Sequence, residues 1–327
     1  MKTQTVVYYG EALANYHFGD AHPFGPQRHQ AFLTEFKRRG LDQRCEMKTP
    51  VVATQTQIEL FHTHDYVEQV KAASLTGHGL LDGGDTPARA GIYEAAGTVV
   101  GTVIDAIDTL MTTPGFTQPH HAFVPIAGLH HAARDHAAGF CVFNDCGVAI
   151  EYLRQAHQVQ RIAYIDIDAH HGDGVFYAFE ADPDLCFVDL HEDGRFLYPG
   201  TGAADETGAG KARGCKLNIP LPMYANDEIL QKIWPTVEAF VRKSKPEFIL
   251  LQCGADSIKG DPLTHMMYTP RSHAFVTQRL CLLANESAKG RLLALGGGGY
   301  HLDNIASAWC AVVESMLEYE ASIEPKR

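Results

Sequence analysis

The 327-residue chain has no C-x-x-C pair among its eight cysteines, and no apolar run approaches the roughly 20 residues that a membrane-spanning helix needs. Its first residues, MKTQTVVYYGEAL, lack the basic segment, long apolar stretch and small-residue cleavage site of a secretory leader. These absences argue against a cysteine zinc site, a disulfide framework and a membrane partner, and they predict a cytoplasmic protein. Cys186 and Cys253, inside the apolar runs LCFVDL and LLQCGAD, read as small core residues. Positive charge is scarce as well: 27 Lys and Arg stand against 39 Asp and Glu, a formal net charge of −12. That balance disfavours nucleic acid, because phosphate binding needs a basic surface. It suits a cationic partner such as a lysine-rich tail or a polyamine, although solubility accounts for it equally well. No Pro/Ser-rich linker, repeat or low-complexity tract interrupts the chain, so one domain over 1–327 is predicted.

What the chain does contain is alternation. Strands are predicted at 5–9, 122–126, 161–168, 185–190, 216–221, 248–254 and 291–297, and helices near 26–39, 88–112, 144–157, 226–243, 272–288 and 303–319. Several strand segments are apolar throughout, as strands covered on both faces are. The pattern predicts an α/β fold, a parallel sheet with helices on both sides, whose ligand site lies beyond the carboxyl ends of the strands. Four polar or glycine-rich clusters fall just there: GLHHA (128–132), DIDAHHGDG (166–174), GADS (254–257) and GGGGY (296–300).

The second cluster crowds three carboxylates and two imidazoles onto the end of an apolar run, which is costly unless a cation compensates. In an extended segment residues two apart point the same way, so Asp168 and His170 can reach one ion. Asp256, just past another apolar strand, is the best third ligand. Two carboxylates, one imidazole and an open fourth position suit catalytic zinc, with iron or cobalt as alternatives. His130 and His131 lie in a loop bounded by Gly128 and by Gly139-Phe140. Asp166 and Asp173 remain as one orienting carboxylate for each imidazole. The run LALGGGGYHLDN lacks the Lys-Ser/Thr of a P-loop and the spacing of G-x-G-x-x-G, so nucleotide binding is disfavoured. Its glycines allow close backbone approach or positive φ and deliver Tyr300, a phenol able to donate to a developing oxyanion.

In order and spacing, GLHHA, GFCVFND, YIDIDAHHGDGV, FLYPGTG, GADSIKGDP and LGGGGY resemble the zinc-dependent histone deacetylase family, which includes bacterial acetoin-utilisation deacetylases and acetylpolyamine amidohydrolases; the likeness runs from about residue 15 to 310. The resemblance implies the arginase–deacetylase fold, a single domain with a central, mostly parallel eight-stranded sheet and helices on both faces. It implies one Zn²⁺ per chain on Asp168, His170 and Asp256, tandem catalytic histidines His130 and His131 partnered by Asp166 and Asp173, and Tyr300 polarising the acyl carbonyl. It also implies one or two structural potassium ions, the first involving Asp166, Asp168 and His170, the second around Phe179, Asp182 and Leu185. Asp189 stands near the first, where many relatives carry a small hydroxyl residue, an extra carboxylate that would tighten or reshape cation binding. Substrate contacts map to Gly139, Phe140 and Tyr198 along the tunnel and to Asp85 and Leu263 at its rim, and Arg28 maps to an inner cavity behind the zinc. Arginases share the ancestry but need a D-x-D for a second metal; after Asp256 the next acid is Asp261, so a mononuclear site is expected. The implied activity is hydrolysis of acyl groups, foremost acetyl, from lysine side chains of a protein or peptide. The alternatives are an acetylpolyamine or other small amide as substrate, and a non-catalytic acyl or peptide binder. Oligomeric state is open.

Overall fold

The computed structural model describes residues 5–112 and 121–323; residues 1–4, 113–120 and 324–327 of the domain expected over 1–327 lie outside the described residues. In chain order the elements are β1 (Thr5–Tyr8), α1 (Glu11–Ala14), α2 (Gln27–Arg38), β2 (Glu46–Lys48), α3 (Gln55–Ile58), α4 (His64–Thr76) and α5 (Ile92–Thr112). There follow β3 (His121–Val124), α6 (Asp145–His157), β4 (Ile162–Asp166), α7 (Asp173–Ala178), β5 (Leu185–Glu192) and β6 (Lys216–Leu221). The last are α8 (Asp227–Ser244), β7 (Phe248–Gln252), α9 (Pro270–Ser287), β8 (Leu292–Leu295) and α10 (Leu302–Ile323).

The eight strands form one sheet in the order β2-β1-β3-β8-β7-β4-β5-β6, and every described pairing is parallel. Every residue of β1, β3, β4, β5, β7 and β8 is buried, which demands cover on both faces. Two helix groups supply it: α2, α8, α9 and α10 pack in one series, and α3 to α7 in another. Large aromatics lock these layers; Phe32 of α2 lies 5.4 Å from Phe123 of β3 and 5.8 Å from Trp309 of α10, ring centre to ring centre.

Five of these elements escape the sequence pattern, two of them the four-residue helices α1 and α3. β2 is a three-residue edge strand, EMK, too short to show a period. α4 was not expected, although Thr63 caps its start by accepting from the Tyr66 N–H and Gly77 ends it at φ 68°. α7 is a six-residue helix that begins at the end of the DIDAHHGDG cluster, with Asp173 its first residue. The eight cysteines are free, with Cys186 and Cys253 in the core as expected. Among the described residues no helix is long and apolar enough to cross a membrane.

Candidate active site

The four polar clusters follow β3, β4, β7 and β8. These are the four adjacent strands β3-β8-β7-β4, and because they run parallel their carboxyl ends share one edge. There the ligating atoms of Asp168, His170 and Asp256 lie within 4.8 Å of one another, all buried. His170 Nδ1 stands 3.1 Å from Asp168 Oδ1 and 3.2 Å from Asp256 Oδ2. Each carboxylate is fixed from behind: Asp168 Oδ2 accepts from Gln252 Nε2 at 2.8 Å and the Gly298 N–H at 2.9 Å, and Asp256 Oδ1 accepts from the Ala169 N–H at 2.9 Å. The cradle leaves no room for side chains. A Cβ on Gly298 would lie 2.2 Å from Asp256 Oδ2, and one on Gly254 would lie 2.0 Å from Asp168 Oδ2. Burial pushes Asp256 up to about 7, aided by Asp168, whereas Asp168 stays well below the carboxylate range because His130 and His170 outweigh its burial. Two buried carboxylates converging on one imidazole nitrogen form a donor set that fits a divalent cation.

The tandem histidines abut this cluster. His130 Nδ1 is 2.8 Å from Asp166 Oδ2, His131 Nδ1 is 2.7 Å from Asp173 Oδ1, and the two Nε2 atoms converge at 3.1 Å. The two rings differ in charge preference. Burial works against protonation of His130, but Asp166 and Asp168 raise it to about 10; burial and the neighbouring His130 lower His131 to about 4. His130 thus favours the cation and His131 the neutral ring, whose tautomer Asp173 fixes. Tyr164 adds a 2.5 Å hydrogen bond to Asp166 Oδ2.

The loop bearing these rings is gripped by the start of α6. Asn144 caps the helix with Oδ1 and donates Nδ2 to the carbonyls of His130 (3.1 Å) and Ala132 (2.8 Å), while Asp145 accepts from the Gly128 and Leu129 N–H groups. From the glycine run, Gly297 (φ 73°) and Gly299 (φ 123°) hold conformations open to glycine and bring Tyr300 to the site. Asp261 fixes that end by accepting the Tyr300 N–H at 2.7 Å and the Leu263 N–H at 3.0 Å. Burial raises the Tyr300 phenol well above its ordinary value, with Asp256 and Asp168 adding to it.

The histone deacetylase domain family matches residues 22–316. The chain belongs to the histone deacetylase family. It is 36% identical over 320 residues to the acetoin utilization protein AcuC of Bacillus subtilis (strain 168), covering 94% of this chain and 81% of that protein. It is 32% identical over 329 residues to AcuC of Staphylococcus aureus (strain MRSA252), covering 97% and 82%. The crystal structure of the HDA15 HD domain matches with a TM-score of 0.86 at 27% identity, covering 97% of this chain and 90% of that one. The chain is accordingly a hydrolase of the deacetylase family.

In this deacetylase-family site a small cavity of about 10 Å³ is lined by Phe24, His130, His131, Asp168, His170 and Tyr300, among others. Phe140 packs 5.7 Å from the Tyr300 ring and Tyr198 packs 5.2 Å from the His131 ring. A Cβ on Gly139 would lie 2.5 Å from the His131 ring. Asp85 is exposed in a turn organised by Asp82; its carbonyl accepts from His22 Nε2 at 3.1 Å, and the His22 ring is 4.5 Å from Phe140. Burial and Asp82 raise the Asp85 carboxyl to about 6. Leu263 is 36% exposed, an apolar side chain next to the turn that holds Tyr300.

Two of the remaining predicted positions, Arg28 and Asp189, are held by hydrogen bonds within the protein. Arg28 straps the glycine run from behind, donating to the carbonyls of Gly299 (2.9 Å) and Gly297 (2.7 Å) over the Phe24 ring, and its buried Nη1 has no hydrogen-bond partner among the described residues. Asp189 faces its own counter-charge: Oδ1 accepts from His191 Nδ1 at 2.7 Å and Oδ2 from the Gly172 N–H at 2.8 Å. Asp189 raises His191 against the effect of its burial. Sequence reasoning missed Gln252, Asn144, Asp145, Tyr164 and Asp261. Of these only the Asn-Asp pair opening a predicted helix carries a readable signal.

Proposed function

We propose that the chain hydrolyses acyl-lysine side chains of a protein or peptide, foremost acetyl-lysine, to free amine and acetate. The observation that carries this reading is the convergence of the His130 and His131 Nε2 atoms beside the Asp168–His170–Asp256 cluster, each imidazole held by its own carboxylate. Asp168, His170 and Asp256 would hold one zinc ion, which when bound supplies Lewis acidity to the acyl carbonyl and the attacking water. His131, neutral and donating Nδ1–H to Asp173, offers Nε2 to remove a proton from that water and then returns it to the leaving amine nitrogen. His130, cationic on Asp166, stabilises the negative charge that develops. The Tyr300 phenol, kept protonated by burial, donates to the oxyanion as the carbonyl becomes tetrahedral. Phe140 and Tyr198 would flank the aliphatic stem, with Asp85 and Leu263 at the rim and Gly139 permitting close approach to His131. A potassium ion at the first position, beside Asp166, Asp168, His170 and Asp189, belongs to the same proposal.

Purified enzyme offered acetyl- and longer acyl-lysine peptides beside acetylated polyamines tests the substrate class. Peptide turnover that stops on chelation and returns with zinc is expected. A preference for acetylspermidine over every peptide replaces the peptide reading with a small-amide one. Asp256→Ala should lose both activity and the one zinc per chain by elemental analysis; full zinc in that variant, or two metals in the wild type, would overturn the ligand set.

A further inference from the structure

The resemblance puts a second potassium ion on Phe179, Asp182 and Leu185, and the residues present there do not fit one. Lys216, the first residue of β6, sends its side chain into the α7–β5 connection, where Nζ donates to the main-chain carbonyls of Asp182 and Leu185, each at 2.7 Å. The side chain is buried, with 1% of the residue exposed. The Phe179 carbonyl is already engaged by the Asp182 N–H at 3.1 Å, which closes the turn. The Asp182 carboxylate is also taken, by the Arg154 guanidinium and by the Asp184 N–H at 2.9 Å. Arg134 and Arg154 stand 5.3 and 5.9 Å from the centre of the Phe179 ring. Carbonyls that would have to turn toward a free cation already face a covalently attached one, and two guanidinium groups add like charge.

We infer that the Lys216 ammonium is the resident cation of this loop and that the chain binds no potassium on Phe179, Asp182 and Leu185. An ammonium is a compact monovalent charge with three donors, so two carbonyl oxygens and a third acceptor can satisfy it much as they would an alkali ion. Being tethered, it stays at the site whatever the potassium concentration, whereas an ion drawn from solution stabilises only by mass action. Burial lowers Lys216 to about 8 while Asp182 opposes the shift, so the group remains charged at neutral pH. The location gives the device its use: α7, which leads into this loop, begins at Asp173, the carboxylate that holds His131. Lys216 thereby pins the far end of the helix that orients the proposed base. This inference does not depend on the substrate class.

The test uses the full chain in two measurements. Crystals grown in rubidium chloride should show no anomalous peak on the Asp182 and Leu185 carbonyls of the wild type, and a peak should appear in Lys216→Ala. In thermal melts, Lys216→Ala should lie below the wild type in tetramethylammonium chloride and recover roughly 2–4 °C on exchange into potassium chloride, a response the wild type lacks at this site. Rubidium on these carbonyls in the wild type would overturn the inference. So would a folded Lys216→Ala that gains no rubidium and responds to potassium no more than the wild type. Should Lys216→Ala fail to fold, the wild-type rubidium map decides alone.

Discussion

A single phenol carries the sharpest consequence at the scale of one residue. In the proposed function Tyr300 donates to charge that exists only in the transition state, so Tyr300→Phe should lower kcat about 10²–10³-fold with substrate affinity and fold nearly intact. Wild-type turnover by a folded Tyr300→Phe would remove its role. His62 allows a test by pH that needs no substrate. Its Nε2 accepts the Asn144 N–H at 2.9 Å and its Nδ1 lies 3.3 Å from the Arg134 carbonyl, so both nitrogens are committed to the neutral ring. Burial lowers it from the ordinary 6.5 to about 3. Between those values the unfolded chain takes up a proton that the folded chain refuses, so this contribution is whole above about pH 6.5 and is lost as pH falls toward 3. NMR should show the His62 ring unprotonated at pH 5; a midpoint near 6.5 would contradict the geometry.

At the scale of elements, the loop bearing the tandem histidines is held between the amino ends of two helices. α6 grips it through Asn144 and Asp145, and α7 lies against it so closely that a Cβ on Gly174 would come within 2.4 Å of the Ala132 carbonyl oxygen and 2.5 Å of that of His131. Those atoms are main chain and cannot swing aside. Gly174→Ala should therefore push α7 away from the loop, carry Asp173 off His131 and cost about 10²-fold in kcat while circular dichroism stays that of a folded protein. An unchanged rate in the folded variant would mean that the α7 contact does not set the His131 geometry. The long elements were readable because their apolar periods run for several turns or several alternations. α7 was not, because six residues are too few to show a helical period, and β2 was not, because three half-exposed edge residues carry no period. α4 was readable in principle from its Thr63 cap and Gly77 stop.

For the molecule as a whole, the formal charge of −12 would draw lysine-rich and polyamine substrates alike, so in the proposed function discrimination falls to the rim. Leu263 can pack against an aliphatic stem or a peptide but offers a second ammonium no counter-charge. Leu263→Glu should shift the kcat/KM ratio of acetylpolyamine to acetyl-lysine peptide upward by about tenfold; a ratio that does not move would place polyamine discrimination elsewhere. The sequence by itself determined the parallel α/β class and the edge of the sheet on which the polar clusters gather, because apolar runs and strand-end chemistry are local properties of the chain. Motif order further pointed to the metal donor set and to each imidazole's partner. Only the tertiary structure decided that the four clusters sit on adjacent strands, that Gln252 and Asp261 hold Asp168 and Tyr300 in place, that His191 pairs with Asp189, and that Lys216 donates to the carbonyls of a loop expected to take an ion. Those are pairings between residues far apart in the chain or across neighbouring strands. Whether a buried carboxylate or carbonyl needs an outside cation depends on which donors the fold brings to it.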